Sequence, residues 1–116
     1  MIDTLQFLNG KTTESSGADN ALATATVGAV LACRTFITGI KADYSAAPAA
    51  GFKVIQIKFG TTVILNIVWD PTKSMPLWFG FPGHIHGDYN QAVSAELAAS
   101  GTGGVLGRVA LFSYTM

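Results

Sequence analysis

The stretch FKVIQIKFGTTVILNIVW, residues 52–69, has the clearest pattern in the chain and decides its fold class. Apolar residues recur at every second position on both sides of a short break at Gly60-Thr61. The residues that share one face are Ile55, Ile57 and Phe59 before the break, and Val63, Leu65, Ile67 and Trp69 after it. Since side chains alternate between the two faces of a β-strand, this spacing predicts a β-hairpin with one face in the core.

The chain from residue 22 onward is typical of β-structure throughout. Thr, Val, Ile and Phe dominate, and no convincing helical period is present. The further strands that we predict are 21–30, 31–43 with a bulge or bend at Gly39, 75–81 as a short edge strand, 92–99, and 105–114. Residues 92–99 also have helical propensity, so a short helix is the alternative there. Several short strands separated by turn signals predict an all-β domain, an antiparallel β-sandwich of the jelly-roll type with about eight strands.

The first 20 residues differ from the rest in composition. Residues 9–20, NGKTTESSGADN, are polar and rich in Gly and Ser, which is typical of a long loop. We therefore divide the chain into an N-terminal arm or loop, residues 1–20, and a β-sandwich domain, residues 21–116. We expect the apolar residues Ile2, Leu5 and Phe7 of the arm to reach a neighbouring molecule.

The charge content is low for a soluble domain. Asp, Glu, Lys and Arg make up 12% of the chain, and apolar residues make up 49%, whereas an average domain has roughly 25% charged residues. The net charge is zero and the charges are scattered, so the sequence has no basic patch for nucleic acid. No apolar run has the length of a membrane span. A small domain with so few charges leaves apolar surface exposed, which predicts a subunit of a larger assembly.

Two predicted strands are apolar on both faces, which indicates that an outer face meets another subunit. In residues 105–114, Leu106, Ala110, Phe112 and Tyr114 oppose Val105, Val109 and Leu111. In residues 34–42, Phe36, Ile40 and Ala42 oppose Ile37. A covering loop is the alternative explanation, since a strand that faces water is normally polar on that side. The predicted contact residues are Phe36, Leu106, Phe112 and Tyr114, in addition to those of the arm.

Both histidines of the chain lie in FPGHIHGDYN, residues 81–90. On a strand, His84, His86 and Asp88 would point the same way, and two imidazoles with a carboxylate suit zinc or iron. The His-x-His pair is similar to the cupin pattern, but the glutamate that follows it in cupins and a third histidine are absent. The glycines and Pro82 favour a loop in which the histidines bind backbone or water. We expect no metal, no cofactor and no catalytic residues. A metal site at His84, His86 and Asp88 is the less favoured alternative.

The aromatic residues allow a carbohydrate-binding module as a second interpretation. Trp69 and Trp78, together with Phe79 and Phe81, could form a platform for a sugar ring, and Tyr89 is a further candidate. In β-sandwiches such residues more often lie in the core or at an interface.

Four further segments carry a family resemblance: ITGIKADYSAAP (37–48), the strand–GTT–strand hairpin, the Phe-Pro-Gly segment (81–83) and NQAVSAELAASGTGGVLGRVALFSY (90–114). Together they span about two-thirds of the chain. This part of the chain resembles the small jelly-roll decoration, or cement, proteins of tailed bacteriophages.

The resemblance implies a non-enzymatic virion subunit on the capsid exterior. It implies self-association, most often as a trimer, and contact with the major capsid protein or other virion proteins, without nucleic acid or membrane. A tail, head-fibre or baseplate protein is the alternative within the same class.

Overall fold

The computed structural model describes residues 11–48 and 51–116, and for residues 82–84 it describes the backbone alone. Eight strands and no helix occur in this part of the chain. The strands are β1 (Lys11–Ser16), β2 (Ala23–Val27), β3 (Thr35–Tyr44), β4 (Lys53–Phe59), β5 (Thr62–Trp69), β6 (Leu77–His86), β7 (Val93–Leu97) and β8 (Gly107–Thr115). The described residues contain no helix that is long and apolar enough to cross a membrane.

The strands form two four-stranded antiparallel sheets that pack face to face, which confirms the predicted β-sandwich. The first sheet has the order β1-β8-β3-β6, and the second has the order β2-β7-β4-β5. Every strand of the first half pairs with its counterpart from the second half: β1 with β8, β2 with β7, β3 with β6, and β4 with β5. The chain is thus one long antiparallel hairpin whose tip is the predicted turn at Gly60-Thr61, divided between two sheets.

The core lies between the two sheets and is built from alternate residues of the inner strands. The most completely buried large apolar side chains are Val27, Ile37, Ile40, Tyr44, Ile55, Ile57, Val93, Leu97, Val109 and Leu111. The hairpin contributes as its alternation predicts, with Ile55 and Ile57 fully buried and Trp69 7% exposed. Val63 is the exception, because the β4–β5 register shifts between Ile57 and Lys58 and leaves Val63 39% exposed.

The predicted bulge at Gly39 is present, and it changes which residues share a face. The register of β3 with both of its neighbours shifts between Ile37 and Gly39. Because the extra residue reverses the alternation, Ile40 and Ala42 join Ile37 in the core. The prediction that Ile40 and Ala42 share the outer face with Phe36 was therefore wrong, whereas Phe36 itself lies on the outer side.

Two segments that we interpreted as loops are strands. Lys11–Ser16, within the predicted arm, forms the edge strand β1 against β8, with Thr13 opposite Leu111. Residues 81–86 continue β6 up to His86, so the predicted edge strand at 75–81 is longer than expected and the predicted histidine loop is not a loop. Pro82 is compatible with this position because an edge strand pairs on one side only. Val93–Leu97 is β7, so the helical alternative for residues 92–99 was wrong.

We expect Gly39→Ala to destabilise the fold by about 1–3 kcal/mol, because a new methyl group would need backbone to move. A Cβ at Gly39 would lie 2.9 Å from the backbone oxygen of Phe79. Gly80, opposite Gly39 on β6, has no atom within 4 Å of the same position. Gly80→Ala is therefore the matched control and should change the unfolding free energy by less than about 0.5 kcal/mol. Urea unfolding of both variants checks this, and equal effects would contradict the bulge geometry.

Tyr44 joins the two sheets inside the core. Its hydroxyl donates a hydrogen bond to the carbonyl oxygen of Ala98 at 2.7 Å, and its ring stacks on Trp69 at 5.8 Å between centroids. Burial raises the pKa of the Tyr44 phenol to about 12, since the charged form is poorly solvated there.

The raised pKa of Tyr44 predicts a loss of stability at high pH. A phenol whose pKa is higher in the folded than in the unfolded chain stabilises the fold fully below pH 10 and loses that contribution as pH rises towards 12. Tyr44→Phe should cost about 1–2 kcal/mol near neutral pH, because the Ala98 carbonyl loses its partner. Tyr44→Phe should also remove the loss of unfolding free energy that ionisation of Tyr44 causes at high pH. Unfolding curves from pH 8 to about 12 check both effects, with Tyr89→Phe, at a half-exposed ring, as the control that leaves stability unchanged.

Candidate functional site: an aromatic face on the first sheet

Among the described side chains, five rings lie on the outer side of the first sheet, away from the core. We call this group the aromatic face, and it consists of Phe36, Trp78, His86, Phe112 and Tyr114. It draws on β3, β6 and β8, which are neighbours in the sheet although they are far apart in sequence. A sheet face that meets water normally carries polar side chains, whereas this one carries rings.

One half of the aromatic face is a stack centred on Phe36. The register places Phe36 between Tyr114 of β8 and His86 of β6. The rings of Phe36 and Tyr114 are parallel, with centroids 5.0 Å apart and an interplanar angle of 1°. The His86 ring lies 4.8 Å from Phe36, tilted by 46°. Cross-strand aromatic contacts of this kind hold the three side chains in fixed positions.

The other half of the aromatic face is the pair Trp78 and Phe112. Their rings are stacked and nearly parallel, with an interplanar angle of 7° and centroids separated by 6.0 Å. Between them the sheet carries Gly39 and Gly80, which have no side chains, and a shallow hollow of ≈ 420 Å³ opens there. Trp78 is 63% exposed. A large apolar side chain in this state gains roughly 1.5–3 kcal/mol on full burial, which makes it a candidate anchor for a partner.

Charged residues occupy the remainder of the same outer surface. Arg108 pairs with Asp43 through two hydrogen bonds, from Nε at 2.9 Å and from Nη2 at 3.1 Å. The Lys41 ammonium lies 4.9 Å from the centre of the Trp78 ring. Glu14 of β1 completes the rim of a second hollow beside Asp43 and Arg108. The aromatic face therefore has a polar border on one side.

The loop between β2 and β3 adds an exposed leucine at the end of the sandwich nearest Phe36. The side-chain oxygen of Asn90 accepts a hydrogen bond from the backbone N–H of Ala32 at 2.6 Å, and the backbone N–H of Asn90 donates to the Cys33 carbonyl at 3.0 Å. These bonds hold the loop while Leu31 is 86% exposed. Such an anchored apolar tip extends the surface available to a partner. Sequence reasoning missed it, because nothing in residues 28–34 signals that Asn90 fixes them.

The predicted interface residues are only partly brought together. Phe36, Phe112 and Tyr114 belong to the aromatic face. Leu106 precedes β8 and hydrogen-bonds through its backbone to Ser45, about 20 Å along the strand direction from Phe112. It lies at the other end of the sheet and outside the aromatic face. Ile2, Leu5 and Phe7 lie outside the described residues.

Trp78 and His86 are members of the aromatic face that the interface prediction did not include. Both lie on β6, and the alternation from Trp78 to His86 was the available signal. It was hidden because we interpreted the intervening Gly and Pro residues as a loop.

The metal candidates do not form a ligand set in the described part of the molecule. His86 Nδ1 lies 2.9 Å from the carbonyl oxygen of Gly87, and its ring packs on Phe36. Asp88 follows the end of β6, so the alternation that would align it with His86 stops before it. The side chain of His84 lies outside the described residues. Among those described, no group of three His, Cys, Asp or Glu side chains could hold a metal ion.

The carbohydrate candidates separate into buried and exposed residues. Trp69 is 7% exposed, and its indole N–H donates to the Ser74 carbonyl at 2.8 Å, so it is not available to a ligand. Phe81 is buried as well. Trp78 remains accessible, and so does Tyr89, which is 56% exposed and lies under the Arg34 guanidinium at 4.3 Å.

Comparison of the chain with protein-family models, with curated protein sequences and with solved structures gives no match. The inference of function therefore rests on the aromatic face, the strand pairing and the composition.

Proposed function

We propose that the protein is a non-enzymatic structural subunit of a virion that associates with itself through the aromatic face. The observation that carries the proposal is the row of stacked rings on the outer side of the first sheet, with Trp78 63% exposed. Association would remove these rings from water, and aromatic residues are enriched at the centres of protein interfaces. The low charge content of the chain, 12%, fits a molecule whose surface is largely covered by other protein.

We also infer that the sandwich is a jelly roll. In a jelly roll a long antiparallel hairpin is wound into two sheets, so that strands from its two arms alternate between the sheets. The observed pairs β1:β8, β2:β7, β3:β6 and β4:β5 follow this rule. The resemblance to phage decoration proteins draws support from the same pairing.

Within the virion, the location that we propose is the capsid exterior. There the protein would act as a decoration or cement protein, most often a trimer, that stabilises contacts between copies of the major capsid protein. The loop with Leu31 at its tip, which hydrogen bonds to Asn90 anchor, is suited to a second contact, to a capsid protein, because it lies at the end of the sandwich. A tail, head-fibre or baseplate location would use the same surfaces, and a density map of the purified particle distinguishes these locations.

Phe112→Asp should weaken self-association at least tenfold while the fold stays intact, because a charge would be buried in the contact. The side chain of Phe112 is half-buried on the outer side of the sheet, so the isolated subunit can keep the aspartate solvated. Thr26→Asp, which places the same charge on the exposed outer side of the second sheet, is the matched control. Sedimentation velocity over a concentration series measures the effect, and unchanged association of Phe112→Asp would refute the proposed contact.

A carbohydrate-binding module is the second candidate, and the pair Trp78 and Phe112 favours it. The exposed Trp78 ring, stacked nearly parallel to that of Phe112, lies beside a border of Asp43, Arg108 and Glu14, so a stacking surface and hydrogen-bonding groups occur together. If this candidate holds, the purified protein binds members of a glycan array and Trp78→Ala abolishes the binding. Tyr89→Ala, at the other exposed candidate, would leave that binding unchanged. Absence of glycan binding by the unmodified protein would eliminate the candidate.

A further inference from the structure

Four strands lie at the sheet edges: β1 and β6 in the first sheet, β2 and β5 in the second. Proteins block sheet edges with charges, proline or short strands, because an open edge pairs with other chains. β1 carries Lys11 and Glu14, β6 contains Pro82, and β2 has only 5 residues. β5 has 8 residues, TVILNIVW, without charge, proline or glycine. Of the edges in the described part of the chain, that of β5 is thus the one without such protection.

The backbone of β5 directs hydrogen-bonding groups towards this open edge. The carbonyl of Val54 on β4 accepts a hydrogen bond from the Ala98 amide at 3.1 Å, so Val54 bonds away from β5. Val68 is the register partner of Val54. Since the N–H and C=O of one residue point to the same side in an antiparallel strand, those of Val68 point to the free side, and by alternation so do those of Asn66. No strand among the described residues pairs with them.

Three of the five exposed side chains along β5 are apolar, and the other two, Thr62 and Asn66, are uncharged. Val63 and Ile64 are each 39% exposed and Val68 is 57% exposed. Asn66 is the one polar residue between them, and it is exposed. An extended, uncharged edge with exposed apolar side chains is suited to addition of another strand.

We propose that β5 pairs antiparallel with β5 of a second copy, across a two-fold axis at Asn66. In this register Asn66 faces Asn66 of the partner subunit, Val68 faces Ile64 of the partner subunit, and Leu65 faces Ile67 of the partner subunit. The charge pattern permits it, because the nearest charged residue, Asp70, stands opposite Thr62 of the partner subunit and no two ionised groups meet. The contact is the same patch on both subunits, as a two-fold interface requires. It joins two four-stranded sheets into one of eight strands.

This pairing does not depend on the proposed function, since it uses the second sheet and leaves the aromatic face free. The two contacts can therefore be tested separately. In the Phe112→Asp variant, from which the aromatic contact has been removed, we expect a monomer–dimer equilibrium to remain. If that variant is monomeric at every concentration tested, the pairing through β5 is wrong, whatever the unmodified protein does.

Asn66→Lys in the same background should weaken the remaining dimer at least about fivefold, because the two introduced ammonium groups would face each other across the axis. Thr26→Lys is the matched control, since Thr26 is exposed on the opposite edge strand of the same sheet and should leave the dimer unchanged. Sedimentation equilibrium measures the dimer dissociation constants of both variants. Equal dimerisation of Asn66→Lys and Thr26→Lys would overturn the proposal.

Hydrogen exchange gives an independent readout at the edge itself. The amides of Asn66 and Val68 should exchange more slowly as the protein concentration rises, because they become bonded only in the dimer. Slow exchange at these amides that does not change with concentration would mean that the same chain covers the edge, and it would overturn the proposal.

Discussion

The structure depends on antiparallel pairing between the two halves of the chain around the turn at Gly60-Thr61. β4 and β5 are joined by this turn, and each later strand must find a partner farther away in sequence, up to the pairing of β1 with β8. The resulting strand order of the two sheets determines which residues form the core, the aromatic face and the open edge of β5. β3, for example, brings Phe36 next to both Tyr114 and His86 only because β8 and β6 flank it. Such distant contacts make the fold one cooperative unit, since no strand outside the hairpin has a partner close in sequence.

The same pairing explains why apolar residues remain on the outside. A sandwich of two sheets uses one face of each sheet for the core, and the outer faces are left for solvent or for other molecules. On the first sheet the outer face is divided between charged residues, such as Asp43 and Arg108, and the ring side chains that continue from Trp78 to Tyr114. The charged residues of this face favour contact with water, whereas the ring side chains form the contact that we propose between copies of the protein.

Local alternation was sufficient to predict the hairpin and β7, and Pro76 was sufficient to predict the edge position of β6, because each signal comes from neighbours in sequence. The polar strand β1 could not be predicted in this way, since KTTESS has no apolar alternation and is held through its backbone by β8. The bulge at Gly39 was predicted, but its effect on the following residues was not, so Ile40 was assigned to the wrong face. For the candidate site, Phe36, Phe112 and Tyr114 were found from their own strands. Trp78 and His86 were missed because the Gly and Pro residues between them were interpreted as a loop, although β6 continues through them to His86.

The central claim, that the aromatic face is buried between subunits, can be tested most directly through the two tryptophans. Trp69 is 7% exposed and Trp78 is 63% exposed, so an isolated subunit has one tryptophan that a small quencher such as acrylamide can reach. We predict that the quenchable fraction of the fluorescence falls as the protein associates with rising concentration, because Trp78 becomes covered while Trp69 does not change. If Trp78 stays equally accessible to acrylamide in the associated protein, the aromatic face is not the contact and the account is contradicted.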